Sequence, residues 1–578
     1  MRVKVNTLGR TFSLEWEFDP HFPYVLPEVR LTERRCFGFI PHIEPDGKVC
    51  YLDRQESVVD PKRAGQVIKE CFDLVIKTLE ASTTGKNRQD FLKEFASYWC
   101  LMPNLVKGYF SLINTPLSQI TLLNGIKTNR GYFITEEETG IQSFFKNIGA
   151  RPASKKKEPW ACIPLPYNKP LYPPDYEKEL SIVELREMLL SHLNEKEWEI
   201  LKSALTDKPR AQLLIQNPIG EGDHYLLGFR FDQPHRNAHP LFDDGFKGKP
   251  TPVVISPVDH KSLANRGGAF DCLGHSSVLV VGCGAIGGAL SMQLAQTGIG
   301  RLTLVDPDKL MPENIYRHVL GWQQISKHKA GALKKLISRQ MPHVKAEALN
   351  CKIEDLLNRP GWFSAFDAIV VATGSPNLNR LLNGYFLEKC PGKPVVYTWL
   401  DPYGIGGHTL VTNNGNTPSG CYACLYTDPD SGIGHNKASF AAPGQSFHKT
   451  QSGCDGLFIP YSTLDAQQTA IQATRTVVKL LLGELQGNPL LSWKGNGETF
   501  LKAGYSPSDR FTLSQEKING QEYLYSHKNC PVCSYKVLEE THERSPRPLS
   551  IHFLCNSRNQ CPMCLRREPR NWKIEEVE

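Results

Sequence analysis

The sequence predicts a multidomain chain, α+β at its N-terminal end and α/β at its C-terminal end, with a small mixed linker domain between. Two observations carry that prediction. Near the N-terminus Phe12, Leu14, Trp16 and Phe18 alternate with polar neighbours, the period of a half-buried strand, and an amphipathic helix follows from about Pro61 to Leu79. Far downstream, SSVLVVGCGAIGGALSMQLAQTGIGRLTLVDPD from Ser276 reads as strand, Gly-rich turn, helix and second strand, the βαβ unit of a Rossmann-like domain. A chain of 578 residues exceeds one hydrophobic core, and the expected domains are 1–115, 116–260, 261–535 and a Cys-containing tail over 536–578.

Taken in order, the first strand leads to FPYVLPEVRL (Phe22 to Leu31), a proline-punctuated turn and second strand, then to a loop around Cys50, then to the helix. The stretch from Gly149 to Pro174, with KKKEP and NKPLYPPDY, reads as a linker or irregular surface segment with a boundary near residue 155. Leu180 to Leu205 reads as helical, and AQLLIQNP and HYLLGFRFD as strands. After the βαβ unit, DAIVVAT (Asp367 to Thr373) and KPVVYTWL (Lys393 to Leu400) alternate with helical segments, as a parallel sheet covered on both faces requires.

Composition excludes little. At 40% hydrophobic and 22% charged the chain is ordinary, and a net charge of +7 with both signs interspersed points neither to nucleic acid nor to a membrane surface. No apolar run is long enough to span a bilayer, and MRVKVNTLGRTFSLEW lacks the core of a signal peptide, so a cytoplasmic location is expected. In that compartment the 17 cysteines are core residues, metal ligands or nucleophiles, not a disulfide framework.

In VGCGAIGG, Gly282, Gly284 and Gly287 allow a tight turn and close backbone approach, so phosphate oxygens can meet the amide groups at the next helix start. Asp306, ending the following strand, is placed for ribose hydroxyls, and to this point a nicotinamide dehydrogenase fits equally well. Asn314, Arg317 and Lys329, in ENIYRH and SKHKAGA, follow where a triphosphate would extend, and a dehydrogenase has little use for them. With these residues the chain resembles the ThiF/MoeB and ubiquitin-activating enzyme family over about 265–535. The resemblance implies ATP as the bound nucleotide, Asp306 and Asp308 as the acidic pair, and Asn314, Arg317 and Lys329 as its triphosphate contacts. It also implies magnesium, although Ser375-Pro376 stands where the family places an Asp-Asn pair, leaving Asp308 or a water on Ser375 as substitutes. A homodimer is implied as well, with Arg266 the candidate to reach a partner's γ-phosphate.

Cys421-x-x-Cys424 and Cys530-x-x-Cys533 can close a four-thiolate structural zinc site. A rival grouping joins Cys530 and Cys533 to Cys561 and Cys564, with Cys555 nearby. Cys454, in QSGCDGLF, occupies a Gly-flanked loop before a helix whose Ile471, Thr474, Val477, Val478 and Leu481 make an apolar stripe. Its placement is similar to the catalytic cysteine of the autophagy-type activating enzymes.

An activated acyl group needs an acceptor. FPYVLPEVRL followed by PHIEPDGKVCYLD resembles the ubiquitin-conjugating fold, which implies that Cys50 is the active-site cysteine. His42 falls where that family has an asparagine, placed either to stabilise an oxyanion, to accept the amine's proton, or only to brace the loop. Both halves together resemble the bacterial conjugating-activating fusion proteins of CBASS anti-phage operons. That resemblance implies a cGAS-like nucleotidyltransferase as the client, whose C-terminus is joined to a lysine of a target protein. A sulfur-carrier adenylyltransferase of thiamin or molybdopterin type and a non-catalytic nucleotide-binding scaffold are the alternatives.

Overall fold

The computed structural model describes residues 1–534 apart from 53–56, 137–139, 221, 233–237, 247, 416–419, 427–433 and 451–456. Cys454 and the tail with Cys555, Cys561 and Cys564 therefore lie outside the described residues. The chain forms two compact units, one of residues 1–142 and 149–259, the other of 143–148 and 260–578.

In the first unit, β1 (Arg2–Thr7), β2 (Arg10–Glu17) and β3 (Glu28–Leu31) make an antiparallel sheet in that order. The alternation in β2 buries Phe12, Leu14 and Trp16 on one face, while Phe18, just beyond the strand, is 37% exposed. Against that face lies α1 (Ala64–Thr84), whose Val67, Cys71, Val75 and Leu79 recur at every fourth position and fill the core between helix and sheet. Gly85, in the left-handed region at φ 73°, ends the helix. Two short helices follow, α2 (Asp90–Lys93) and α3 (Phe95–Trp99).

The same unit holds a closed barrel. Its strands are β4 (Val106–Ser111), β5 (Thr121–Thr128), β6 (Gly131–Thr135), β7 (Glu158–Pro164), β8 (Gln212–Pro218), β9 (His224–Arg230) and β10 (Thr251–Pro257). They close in the order β10-β4-β6-β5-β7-β8-β9. Between β6 and β7 in the chain comes α4 (Ile141–Ile148), most of which belongs to the other unit, and between β7 and β8 come α5 (Ile182–His192) and α6 (Glu195–Leu205). Capping boxes, Ser181 with Glu184 and Asn194 with Glu197, start α5 and α6.

The barrel corrects the linker reading of 149–174, because β7 lies inside that span. Trp160, Ala161, Cys162 and Ile163 are fully buried, the first and third in one apolar cluster and the other two in another. A strand buried on both faces shows no alternation, so its Lys- and Pro-rich flanks dominated the pattern. β4, within the span expected for the first domain, is likewise a barrel strand, paired with β10 and β6.

The second unit is a doubly wound sheet. After α7 (His260–Gly267) come β11 (Ser277–Val281), α8 (Ala285–Gln296), β12 (Arg301–Val305), α9 (Lys329–Gln340) and β13 (Lys345–Leu349). Then follow α10 (Pro360–Phe363), β14 (Ala368–Val371), α11 (Pro376–Lys389), β15 (Val395–Leu400) and β16 (Gly406–Thr412). The pair β17 (Lys449–Thr450) and β18 (Leu457–Phe458) precedes α12 (Thr463–Leu481) and β19 (Leu490–Lys494). The sheet order is β13-β12-β11-β14-β15-β16-β19, parallel as far as β15 and antiparallel beyond it. The winding reverses between β11 and β14, and a crevice at such a switch point is where open α/β sheets bind ligands.

On one face of this sheet α12 packs against α8, with Ala470, Ala473 and Val477 in the same cluster as Leu290 and Leu294. Of the expected stripe, Thr474, Val477 and Val478 are buried and Leu481 packs against the cluster, while Ile471 is 43% exposed and is corrected to Ala470 and Ala473. The contact face of α8 is rich in Gly, Ala and Ser, so α12 approaches it through small residues that hydrophobicity alone does not mark. No helix among the described residues is long and apolar enough to cross a membrane.

Trp160→Ala removes a fully buried barrel side chain whose Nε1 donates to Tyr132 Oη at 3.0 Å. The expected loss is about 3–5 kcal/mol, read as a lowered midpoint in urea unfolding followed by intrinsic fluorescence.

Candidate active sites

At the switch point β11 runs into Gly282, whose φ of 89° carries the chain past Ala372 O, which a Cβ would meet at 2.6 Å. Gly287, in the first turn of α8, comes so close to Gly282 O that a Cβ would lie 1.9 Å from it. Gly284 immediately precedes the helix, and among the described residues nothing lies within 4 Å of a Cβ built there, which leaves the helix N-terminus approachable from that side.

Asp306 is 5% exposed, and its carboxylate accepts the N–H of Cys283 at 2.6 Å and that of Asp308 at 2.8 Å. Both oxygens thus have structural work, which the ribose expectation did not include. Asp308 in turn accepts Lys329 Nζ at 3.1 Å, and the backbone N–H of Lys329, the first residue of α9, donates to Asp308 O at 2.9 Å. Asn314 Oδ1 accepts the Met311 N–H at 3.1 Å and closes the 3-10 turn Pro312–Arg317, from which the Arg317 guanidinium lies 5.1 Å over the Tyr461 ring.

His318, which the sequence reading passed over, holds the turn from the other side. Its Nδ1 accepts the Leu320 N–H at 3.1 Å, so Nε2 carries the proton it donates to Cys283 O at 2.7 Å. Burial holds the imidazole below its ordinary value, in keeping with this neutral form.

Ser375 caps α11 by accepting the Leu378 N–H at 3.4 Å, and Thr373 Oγ1 donates to Asn379 Oδ1 at 2.8 Å. With both Asp306 oxygens engaged, Asp308 is the carboxylate suited to magnesium, which needs only one or two carboxylates when substrate phosphates complete its octahedron. Arg266 is exposed in the last turn of α7.

The sulfurs of Cys421, Cys424, Cys530 and Cys533 all lie within 4.8 Å of one another, with Cys421 and Cys530 3.7 Å apart and Cys424 and Cys533 3.5 Å apart. A tetrahedral zinc with Zn–S bonds near 2.3 Å sets sulfurs about 3.8 Å apart. The donor set fits zinc, since four buried thiolates this close repel one another unless a cation is shared. The rival grouping needs Cys561 and Cys564, outside the described residues.

In the first unit, the Cys50 loop is a tight ribbon in which Ile43 pairs with Val49 and Arg30 with Lys48. Gly47, at φ 85°, presses on β3 so closely that a Cβ would sit 2.5 Å from Leu31 O. His42 donates its N–H to Tyr98 Oη at 2.8 Å and accepts the Cys50 N–H at 2.8 Å on its carbonyl. Its ring nitrogens face Glu94 Oε1 and Asp90 Oδ2, each at 3.1 Å, and Tyr98 Oη donates to Glu94 Oε2 at 3.0 Å. Glu94 first, then Asp90, raises the imidazole above its ordinary value and favours the cation. A histidinium with both N–H groups committed has none left for an oxyanion and no lone pair for a proton, so in this arrangement His42 braces the loop.

The Cys50 side chain reaches solvent, with Sγ 3.4 Å from Glu44 Oε1. Crowding by the surrounding protein, followed by the Glu44 hydrogen bond and charge and then by Glu94, pushes its thiol up to about 12. Glu44, Asp90, Glu94 and Tyr98 were not singled out from sequence; only the spacing of Glu44 inside PHIEPDGKVC marks one of them.

Because the shift is upward, thiolate accumulates only as pH approaches the raised value. Iodoacetamide should therefore alkylate Cys50 at pH 8 at least about a hundred-fold more slowly than an unperturbed thiol with a pKa of about 8.5, by peptide mass mapping.

Residues 264–499 match the model of the ThiF family, and residues 1–106 match that of prokaryotic E2 family B. The ATP-dependent ubiquitin transferase-like protein Cap2 of Pseudomonas aeruginosa (strain BWHPSA011 / Pa011) is 25% identical over 464 residues, covering 77% of this chain and 81% of that protein. Its namesake in Escherichia coli (strain TW11681) is 24% identical over 551 residues and covers 88% of each. The adenylyltransferase and sulfurtransferase MOCS3 of Oryza sativa subsp. japonica is 29% identical over 162 residues, 28% of this chain and 29% of that protein. With the sheet, the turn and these matches together, the chain is a bacterial-type fusion of an E2-like domain with a ThiF-family domain.

Proposed function

We propose that this chain activates the C-terminal carboxylate of a client protein with ATP, captures it as a thioester on Cys454, passes it to Cys50 and joins it to a target lysine. The coarser statement, an ATP-dependent activating enzyme of the ubiquitin-like kind, rests on the ThiF and E2-like matches. The observation that carries the finer reading is that one chain holds both a phosphate-ready turn and, in its E2-like domain, a solvent-reaching cysteine.

In this reading the triphosphate lies along the open N-terminus of α8, with Lys329 turning from Asp308 to the phosphates and Arg317 facing them from its 3-10 turn. The client carboxylate attacks the α-phosphorus and pyrophosphate leaves. Magnesium, held by Asp308, would supply charge neutralisation at the phosphates. Cys454 displaces AMP from the acyl adenylate, Cys50 displaces Cys454, and the lysine amine displaces Cys50. Each thioester keeps the activation that ATP provided. Zinc, held by Cys421, Cys424, Cys530 and Cys533, would be structural, with no coordination position open for chemistry.

A cGAS-like nucleotidyltransferase is the client this reading favours, on resemblance to CBASS fusion proteins, and the assembly expected is a homodimer in which Arg266 reaches across. The similarity to MOCS3 favours a second reading, a sulfur-carrier adenylyltransferase, but it leaves Cys50 and the E2-like domain without work.

With ATP and a nucleotidyltransferase client, wild type should form reductant-sensitive adducts on Cys454 and Cys50, and Cys454→Ala should abolish the one on Cys50. An undiminished Cys50 adduct in that variant sinks the relay, and no Cys50 adduct in wild type favours the sulfur-carrier reading. Elemental analysis should find about one zinc per chain. The double substitution Cys421→Ser, Cys530→Ser should remove it and lower the melting temperature, whereas retained zinc would refute the assignment.

A further inference from the structure

We propose that Glu44 is the catalytic base at Cys50, taking the thiol proton as the sulfur attacks the incoming thioester. This rests on the reading that Cys50 receives an acyl group, and it assigns the group that makes a protonated thiol competent.

Geometry comes first. Glu44 Oε1 lies 3.4 Å from Cys50 Sγ, hydrogen-bond distance for sulfur. The loop fixes that separation. Glu44 donates its N–H to Lys48 O at 2.9 Å and accepts the Gly47 N–H at 2.9 Å, while Ile43 and Val49, the residues just before Glu44 and Cys50, are bridged. Glu44 and Cys50 therefore leave the same side of a ribbon that cannot lengthen without breaking those bonds.

Among the described residues, the charged and titratable groups facing the thiol are Glu44 and Lys48 from its own turn, with Glu94 and Tyr98 from the segment packed over it. None of the others serves as the base. Glu94 spends one oxygen on His42 and the other on Tyr98. His42 has both nitrogens committed to carboxylates. Lys48, whose charge favours the thiolate, has its Nζ held by Glu28 at 2.6 Å, so among the described residues no unpaired cation stands by to stabilise a preformed thiolate. Loss of the proton during attack is the route these contacts leave open.

The step balances without a further reactant. The Cys50 S–H proton passes to Glu44 Oε1 as the C–S bond to Cys50 forms, and the bond to the donor sulfur breaks. The departing thiolate then takes the proton from the Glu44 carboxylic acid, restoring the carboxylate.

The test uses the full chain and a synthetic peptide α-thioester without ATP, so that it does not depend on adenylation or on Cys454. Acyl transfer to Cys50 and iodoacetamide alkylation of Cys50 are followed by peptide mass mapping between pH 6 and 9, in wild type, Glu44→Gln and Glu44→Asp. Glu44→Gln should slow acyl transfer at pH 7 by about a hundred-fold. Its rate should then climb about tenfold per pH unit, as a thiolate-limited reaction does. Alkylation should accelerate in the same variant, since a charge that opposes the thiolate is gone, and Glu44→Asp should recover part of the acyl transfer. If both rates rise together, the carboxylate only suppresses the sulfur; if both fall, it only holds the loop; either result overturns the proposal. Failure of the peptide thioester to acylate wild-type Cys50 overturns it as well. Glu44-dependent acylation by the peptide, with no adduct from ATP and client, would instead leave this proposal standing and refute the relay.

Discussion

The activating half depends on one buried charge. A carboxylate that is 5% exposed must recover in hydrogen bonds what it loses in hydration, and Asp306 does so with two backbone N–H groups. One belongs to Cys283 inside the Gly-rich turn and the other to Asp308, whose carboxylate holds Lys329. A single anion at the end of β12 thereby couples the turn to the loop that presents the lysine. His318 completes the arrangement by binding the carbonyl of Cys283, so the residue between Gly282 and Gly284 is gripped at both its N–H and its C=O. Glycine gives the turn its shape and would also let it wander; the two grips remove that freedom before a phosphate arrives, which is what preorganisation means energetically.

The E2-like half restrains its sulfur instead of activating it. Burial first, then Glu44 and Glu94, oppose the Cys50 thiolate, and His42 turns both ring nitrogens to the carboxylates of Asp90 and Glu94, which favour its cation. In the proposed relay such restraint has a use. A thiol of high pKa is a poor leaving group, so an acyl group that reaches Cys50 departs more slowly to stray thiols, and transfer toward it from a more acidic cysteine is favoured. The same restraint makes attack by Cys50 slow unless its proton is removed in the same step.

Much of this was legible in sequence because the relevant signals are local. The alternation in β2, the i, i+4 row of α1 and the strand–turn–helix run at Gly282 each lie within a short window, and the structure keeps all three. What the sequence hid is non-local. The closed barrel required knowing that β4 pairs with β10 and that β7, between Lys- and Pro-rich flanks, is buried on both faces. The buried stripe of α12 was read at Thr474, Val477 and Val478 but misplaced at Ile471, because Ala470 and Ala473 carry little hydrophobic signal and pack against the small residues of α8 opposite. His42 was visible, but Asp90 and Glu94, which decide what it can do, are remote in sequence and reach it only through the fold. The two CxxC pairs show the opposite case, in which a rigid spacing rule located four sulfurs that the fold brings within 4.8 Å of one another.

That cluster also bears on the span that includes Cys454. The chain leaves the four-cysteine group at Cys424 and rejoins the sheet layer at Ser462, whose side chain and that of Asp465 form the capping box that opens α12. Between these points Lys449 pairs with Phe458 and Thr450 with Leu457, so the described flanks of 451–456 are held together. Just beyond, Pro460 O accepts the Tyr403 N–H at 2.6 Å and Tyr461 stacks on Arg317. Each tether is a contact with the same unit that presents the Gly-rich turn, and the last is with Arg317 itself. In the proposed reading Arg317 faces the phosphates while stacked on the ring that follows this span, which would link adenylation to the segment proposed to take over the acyl group.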